Sequence, residues 1–346
     1  MTVSHKASIV HIVITHDFAG TERYVCDVAA RQAAHGHDVV VIGGDPARMV
    51  HELGPHVHHM IGGTPRDAIT SLARLGQRDV VHAHMTLAEA AALLTRPRHR
   101  GRIVATRHFA QHRGSSLLGR AVTPMLRWSG ALQIAISDFV AHRLERRPDL
   151  VLHNGVANDD RVNTADGADE APKRVLLAQR LSPEKDSRTA LKAWGLAGLG
   201  TRGWTLEIAG EGVERPALEA LAIELGIAES TRFIGFDQQI RSRMRNAAAF
   251  IATAPAEPLG LAVLEAMSCG LPVLAAGSGG HCETVGSAAQ PMLFRPGHAQ
   301  ELANLLSTLE TSPNSVAAYG LRLREVQRTR FNIDRHVSRL LVIYTT

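Results

Sequence analysis

Short apolar runs alternate with longer stretches in which apolar positions recur every three to four residues, almost throughout the chain. Residues 8–15 read as a buried strand, residues 20–34 as a helix and residues 38–42 as a second strand. Further strands are predicted over residues 79–83, 102–106 and 131–136, with helices between them. This βαβα order specifies a parallel, doubly wound sheet with helices on both faces. The pattern breaks after Gly155. Residues 157–172 are polar, rich in Asp, Asn, Gly and Ala, and read as a linker. Alternation then restarts, with strands expected over 173–178, 205–209, 232–234, 248–252 and 272–275 and a helix over 187–196. The expected fold class is therefore α/β, with two Rossmann-like domains over residues 1–156 and 173–328. The last stretch, 329–346, is helical, clearest over residues 333–344, and is expected to cross back to the first domain.

Composition agrees with this division. A chain of 346 residues suits two domains of ordinary size. Apolar residues at 45% and charged residues at 21% are usual for a globular protein, while aromatics at 4% leave a core of Ala, Val, Leu and Ile. No apolar run reaches the roughly 20 residues that span a bilayer, and no cleavage site follows the first short run. Three cysteines, Cys26, Cys269 and Cys282, are odd in number and not in metal-ligand spacing, which suits a reducing cytosol. A cytoplasmic location is expected.

Charge adds one regional feature. Between Arg96 and Arg147 stand eleven arginines and two acids, Asp138 and Glu145, a local excess of +9 in a chain of net +5. The plain interpretation is a solvated helical face. The sharper one is an anionic membrane surface as partner, with peripheral attachment at the inner face, because Ser116-Leu117-Leu118-Gly119-Arg120 and Met125-Leu126-Arg127-Trp128 mix apolar and cationic residues. Nucleic acid is not expected, since the stacking aromatics of single-strand binders are missing.

The most informative chemistry lies at residues 256–273. Glu257 follows a strand-like run. Pro258 and Gly260 then open a helix that carries Glu265, eight positions on. A helix N-terminus favours an anion such as a diphosphate, and nearby carboxylates accept hydrogen bonds from sugar or ribose hydroxyls. Upstream, Gln179-Arg180-Leu181-Ser182-Pro183-Glu184-Lys185 places an arginine and a lysine five apart at a strand end. Ile208-Ala209-Gly210-Glu211-Gly212, Arg232-Phe233-Ile234-Gly235 and Gly277-Ser278-Gly279-Gly280-His281 supply glycine turns after other strands. In the first half, Gly20-Thr21-Glu22-Arg23 and Thr106-Arg107-His108 also follow strands. Histidines recur at His56, His58 and His59 and at His82 and His84, but three or four converging metal ligands cannot be assembled from the sequence. A dinucleotide oxidoreductase would need Gly-x-Gly-x-x-Gly after the first strand, and Ala19-Gly20 does not supply it.

In order and spacing these motifs resemble those of retaining glycosyltransferase family 4, which has the GT-B fold of two Rossmann-like domains facing across a cleft. The match is closest in the second half. In the first half, Ala19 stands where the family usually has a glycine. The resemblance implies a metal-independent glycosyltransferase with no cofactor, moving a sugar from a nucleotide-sugar donor to a glycan, lipid or small-molecule hydroxyl. UDP-sugars are favoured and GDP-mannose comes next. A 2-epimerase of the same fold is the alternative. It further implies that Arg180 and Lys185 neutralise the leaving diphosphate with the N–H groups at Gly260 and Leu261. Glu265 would accept the ribose hydroxyls and Glu257 the donor sugar's. His108 would line the sugar site. Gly20, Gly210 and Gly235 would let backbone approach the ligand.

Overall fold

A computed structural model describes residues 6–110, 126, 129–160 and 173–345. Arg113, Arg120 and Arg127, most of the two mixed apolar–cationic stretches and linker residues 161–172 lie outside the described residues. The chain divides into two units, one of Met1–Asn154 with Ile333–Thr346 and one of Gly155–Asn332.

The first unit is a parallel sheet with strands β1 (Ser8–Val13), β2 (Asp38–Ile42), β3 (His58–Met60), β4 (Val80–His84), β5 (Arg102–Arg107), β6 (Leu132–Ala135) and β7 (Leu150–Val151), in spatial order 3-2-1-4-5-6-7. Its central strands are rich in Val and Ile and buried on both faces, as crossover connections require. The helices are α1 (Gly20–Ala34), α2 (Pro46–Leu53), α3 (Pro65–Leu75), α4 (Thr86–His99) and α5 (Asp138–His142). Their starts follow local chemistry. Asp45, Thr64 and Ser137 cap α2, α3 and α5 through side-chain oxygens, and Pro46 and Pro65 occupy first-turn positions where no N–H is needed.

The second unit repeats the plan with β8 (Arg174–Ala178), β9 (Thr205–Ala209), β10 (Thr231–Gly235), β11 (Ala249–Ala252), β12 (Val273–Ala276) and β13 (Leu293–Phe294), in order 10-9-8-11-12-13. Its helices are α6 (Ser187–Ala197), α7 (Arg215–Glu224), α8 (Ile240–Arg245), α9 (Leu261–Ser268), α10 (Ala299–Thr311) and α11 (Pro313–Arg330). Val175, Leu177, Trp194, Leu206, Ile208 and Leu302 are fully or almost fully buried in its core. Each contributes roughly 2–3 kcal/mol of burial free energy. Both sheets reverse their strand order beside the first strand, between β1 and β4 and between β8 and β11. That reversal opens a crevice beyond the strand ends where ligands of such sheets bind.

The boundaries differ from the sequence reading. The unit boundary falls after Asn154, and residues 157–160, expected in the linker, are tied to the second unit. Buried Asp159 holds Arg245 at 2.6 Å through its carboxylate and Arg324 at 2.7 Å through its carbonyl. Helix α11 runs to Arg330, past the expected domain end, and the final helix, α12 (Ile333–Thr345), begins only after Asn332. Helix α12 groups with the first unit. It buries Ile333, His336, Val337, Leu340 and Tyr344 along one face. Strands β3, β7 and β13 carry no apolar run long enough to announce them. His58 and His59 are consecutive on β3, so they point to opposite faces and do not converge. Arg107, counted in the arginine-rich segment, is only 2% exposed, so it does not belong to a surface face.

Candidate active site

In the second unit the loops after β8 and β11 flank the strand-order reversal. Lys185 ends a short 3-10 turn after β8, and Glu257 lies in the loop after β11. Lys185 Nζ stands 2.6 Å from Glu257 Oε2, with both side chains about one-fifth exposed (20% and 17%). The backbone beneath is fixed by two polar side chains. Gln179 Nε2 donates to the Lys185 carbonyl at 2.9 Å and to Thr253 Oγ1 at 3.1 Å, and the Thr253 hydroxyl donates to the same carbonyl at 2.8 Å. One strand end is thus stitched to the other. Asp186 at φ 51 turns the chain into α6.

The Glu257 loop is held on its other side by the glycine turn after β12. Gly280 N donates to the Glu257 carbonyl at 2.7 Å, and Ser278 Oγ donates to the Pro255 carbonyl at 2.6 Å. A Cβ on Gly280 would meet Leu259 Cα at 2.4 Å. Only glycine permits that approach. His281, next in the turn, is 1% exposed and donates from Nδ1 to the Ala276 carbonyl at 3.1 Å. Burial pushes its pKa down; the Glu257 charge opposes this and the Lys185 charge adds to it.

Gly260, at φ 94, precedes α9, and no side chain caps that helix. Leu261 is its first residue. Glu265 follows in the second turn, 18% exposed, with Arg241 Nε at 3.7 Å. Gly210 has φ 138, and a Cβ there would fall 1.9 Å from the Gln179 carbonyl oxygen. Its N–H bonds the Gly235 carbonyl at 2.8 Å. Gly235 has φ 71, and a Cβ would stand 2.7 Å from Glu211 Oε1. Gly210 and Gly235 therefore set how closely the loops after β8, β9 and β10 approach one another. Arg180 is exposed at the end of β8. The Ser182 hydroxyl holds the neighbouring Glu184 carboxyl below its usual range, with Arg180 and Lys185 adding to the effect.

The first unit contributes differently. Gly20 is the first residue of α1, and Glu22 Oε2 accepts from Ala19 N at 2.8 Å, fixing the helix entry. His108 follows β5 directly and is 4% exposed. It belongs to a buried set of His11, His82, His84, His108 and His336. His84 bridges His11 and His108 with both ring nitrogens at 3.0 Å. Burial, then His336 and Arg107, pushes the His108 pKa down to about 3. His11 is pushed down to about 4 by burial, against the raising effect of Gln32.

A sequence profile described as glycosyl transferases group 1 matches residues 159–325, and one described as glycosyltransferase family 4 matches residues 18–159. The chain belongs to this glycosyltransferase family. Among similar proteins of the family, the 2-deoxystreptamine glucosyltransferase of Streptomyces kanamyceticus is 30% identical over 48% of this chain and 43% of its own length. The D-inositol 3-phosphate glycosyltransferase of Nocardia farcinica is 31% identical over 71% of this chain and 62% of its own. The chain thus spans less than two thirds of these relatives. The fold matches Anabaena HepE, solved with UDP and glucose, at TM-score 0.78, 19% identity and coverage of 98% of this chain and 99% of that one. Sucrose-phosphate synthase of Thermosynechococcus elongatus matches at TM-score 0.80 and 18% identity, over 98% of both chains. These solved structures are GT-B glycosyltransferases, and both sheets here share their parallel α/β plan.

Of the residues expected from the family motifs, the structure joins Lys185 to Glu257 directly. It gives Glu265 the Arg241 partner and leaves Arg180 exposed on the same strand-end surface of the unit. His108 is engaged with His84. Sequence reasoning missed Gln179 and Thr253. Their signal was present, since a polar residue at the end of each buried strand beside the reversal is a candidate stitch. It also missed Arg241, which sits on α8 among ordinary surface arginines.

Proposed function

We propose that this protein transfers a sugar from a nucleoside diphosphate sugar to a hydroxyl acceptor, with retention of anomeric configuration and without a metal. The pairing of Lys185 with Glu257 beside the uncapped start of α9 carries this reading. A departing diphosphate gains charge in the transition state. Lys185, Arg180 and the free N–H groups at Gly260 and Leu261 supply fixed positive potential for it. Glu257 is released from Lys185 when diphosphate arrives and is then available to the sugar hydroxyls. Glu265 takes the ribose. His108 takes a sugar hydroxyl. UDP is the favoured nucleotide, supported by the UDP complexes of the HepE relative, with GDP-mannose next.

Relatives named for 2-deoxystreptamine and D-inositol 3-phosphate favour a polyhydroxylated ring, free or within a glycan or lipid, as acceptor. They also favour transfer over epimerisation. No described helix is long and apolar enough to cross a membrane. The exposed arginines between Arg96 and Arg147 are proposed to meet anionic lipid, and co-sedimentation with anionic vesicles at low salt tests that.

The decisive experiment is a thermal-shift screen of UDP, UDP-sugars and GDP-mannose, followed by transfer assays with and without EDTA. UDP or GDP at 100 times its Kd should stabilise by about 2.7 kcal/mol. Glu265→Ala and Arg180→Ala should blunt the shift. If no nucleotide raised the Tm, the proposal would fail.

A further inference from the structure

Beneath His108 the first unit encloses a polar network that the family motifs do not account for. His11 and His82 are fully buried and His84 almost so. His11 Nε2 lies 2.7 Å from Gln32 Oε1, and Gln32 Nε2 donates to the Tyr344 hydroxyl at 3.4 Å. His82 Nδ1 meets that hydroxyl at 2.6 Å, and its Nε2 meets Thr106 Oγ1 at 2.7 Å. The donor atoms of His11, His82 and His84 lie close enough together to suggest a metal site. Every one of their six ring nitrogens already has a hydrogen-bond partner, however: the bonds just given, His11 Nδ1 with His84 Nε2, and His84 Nδ1 with His108 Nε2. A cation would have to break several of these bonds to bind.

The connectivity has a direction. A buried neutral imidazole carries one N–H and one lone pair, so each bond dictates the next. The Gln32 oxygen can only accept, so His11 carries its proton on Nε2 and accepts at Nδ1. His84 must then donate from Nε2 and accept at Nδ1. His108 must donate from Nε2, which leaves its Nδ1 as a lone pair at the carboxyl end of the sheet. Tyr344 closes the argument. Its hydroxyl accepts from the Gln32 amide N–H, which turns the amide oxygen toward His11.

We propose that Gln32, through His11 and His84, fixes His108 as a neutral imidazole with a bare Nδ1, so that this position accepts a hydrogen bond from a substrate hydroxyl and rejects phosphate and carboxylate oxygens. Gln32, His11 and His84 are positioning residues; His108 alone touches substrate. The inference rests on the transferase reading for the contact between His108 and a substrate hydroxyl, and on the geometry alone for the tautomer. The depressed pKa values of His11 and His108 keep both rings neutral at physiological pH, in agreement with the geometry.

Long-range 1H–15N spectra of the full-length labelled protein test this without any activity. The expected result is the Nε2–H tautomer for His11, His84 and His108 from pH 6 to pH 8. A wild-type spectrum with Nδ1–H on His108 would overturn the proposal, as would disappearance of these resonances on adding one equivalent of zinc. Tyr344→Phe, which removes the acceptor that orients Gln32, and Gln32→Leu should both give mixed tautomers at His108. In both variants kcat should fall about tenfold, the worth of one hydrogen bond, while UDP affinity stays unchanged. Unaltered tautomers in a folded variant would also overturn it. If UDP failed to bind but the tautomers were as stated, the transferase reading alone would fall.

Discussion

Lys185 Nζ and Glu257 Oε2 are 2.6 Å apart at the two strand ends that flank the reversal of the second sheet. The pair neutralises itself while no diphosphate is present. Glu257→Gln removes that competition and leaves the ammonium facing the proposed diphosphate. UDP should then bind about tenfold tighter, the worth of a charge-assisted hydrogen bond, while kcat falls about a hundredfold because the proposed sugar contact is lost. Lys185→Ala should weaken both. Titration calorimetry with UDP and single-turnover transfer separate the two effects. Equal losses of binding and rate in Glu257→Gln would contradict this account.

Glu265 should behave differently. It pairs with Arg241, whose side chain is 29% exposed, across 3.7 Å, and a pair at that distance adds little to stability. Glu265→Ala should change the Tm by no more than about 1 kcal/mol equivalent, yet raise the UDP Kd about tenfold to a hundredfold, because carboxylate bonds to both ribose hydroxyls are lost. A 2′,3′-dideoxy nucleotide should bind wild type and Glu265→Ala equally. If it still discriminated between them, the ribose role would be wrong.

Much of this site was legible in the sequence because the relevant residues sit at the ends of strongly patterned strands. The apolar runs ending at Ala178 and Ala252 locate the loops that carry Lys185 and Glu257, and the parallel order follows from βαβα alternation. What was not legible is tertiary. No period in the sequence says that Gln179 and Thr253 share the Lys185 carbonyl, because those three residues meet only through strand pairing. His11 looked like one polar residue inside a strand, and His336 and Tyr344 like part of a terminal helix. Only packing of α12 against α1 and the sheet shows that they complete one buried network. The attachment of residues 157–160 to the second unit was not legible for a similar reason. Polar composition suggests a linker, whereas Asp159 is buried by two arginines from distant helices.

The glycine turn after β12 yields a paired test. Alanine at Gly280 would drive Cβ into Leu259 Cα at 2.4 Å and the Pro258 carbonyl at 2.7 Å, both backbone. Gly280→Ala should therefore cost about 1–3 kcal/mol and move the Glu257 loop, lowering Tm and transfer rate together. Gly195 is the control. It lies in α6, where a Cβ would meet only Ile227 Cγ2 at 3.7 Å, an ordinary contact. Gly195→Ala should stabilise by up to about 1 kcal/mol through helix propensity alone, with no change in rate. A tolerated Gly280→Ala with full activity would show that the loop has another way to sit.

Acid should act unequally on the two units. Burial pushes His11 and His336 down to about 4 and His108 down to about 3, and holds His82 and His84 well below their usual value. Unfolding restores a pKa near 6.5 to each. Because the folded values are depressed, the unfolded chain binds more protons as the pH falls below about 6.5. Stability of the first unit is thus fully present above that pH. It is lost as the pH drops through the window from 6.5 towards 4, by about 1 kcal/mol per pH unit for each histidine that unfolding exposes. Several such histidines can exhaust the roughly 5–15 kcal/mol of an ordinary domain near pH 5. The second unit has His281 as its comparably buried histidine among the described residues, so it should outlast the first. Hydrogen exchange followed by mass spectrometry at pH 7, 6 and 5, corrected for intrinsic rates, checks this. Protection at β1 and β4 should fall steeply while β8 and β11 keep theirs. Parallel loss in both sheets would show that the buried histidines do not govern acid stability.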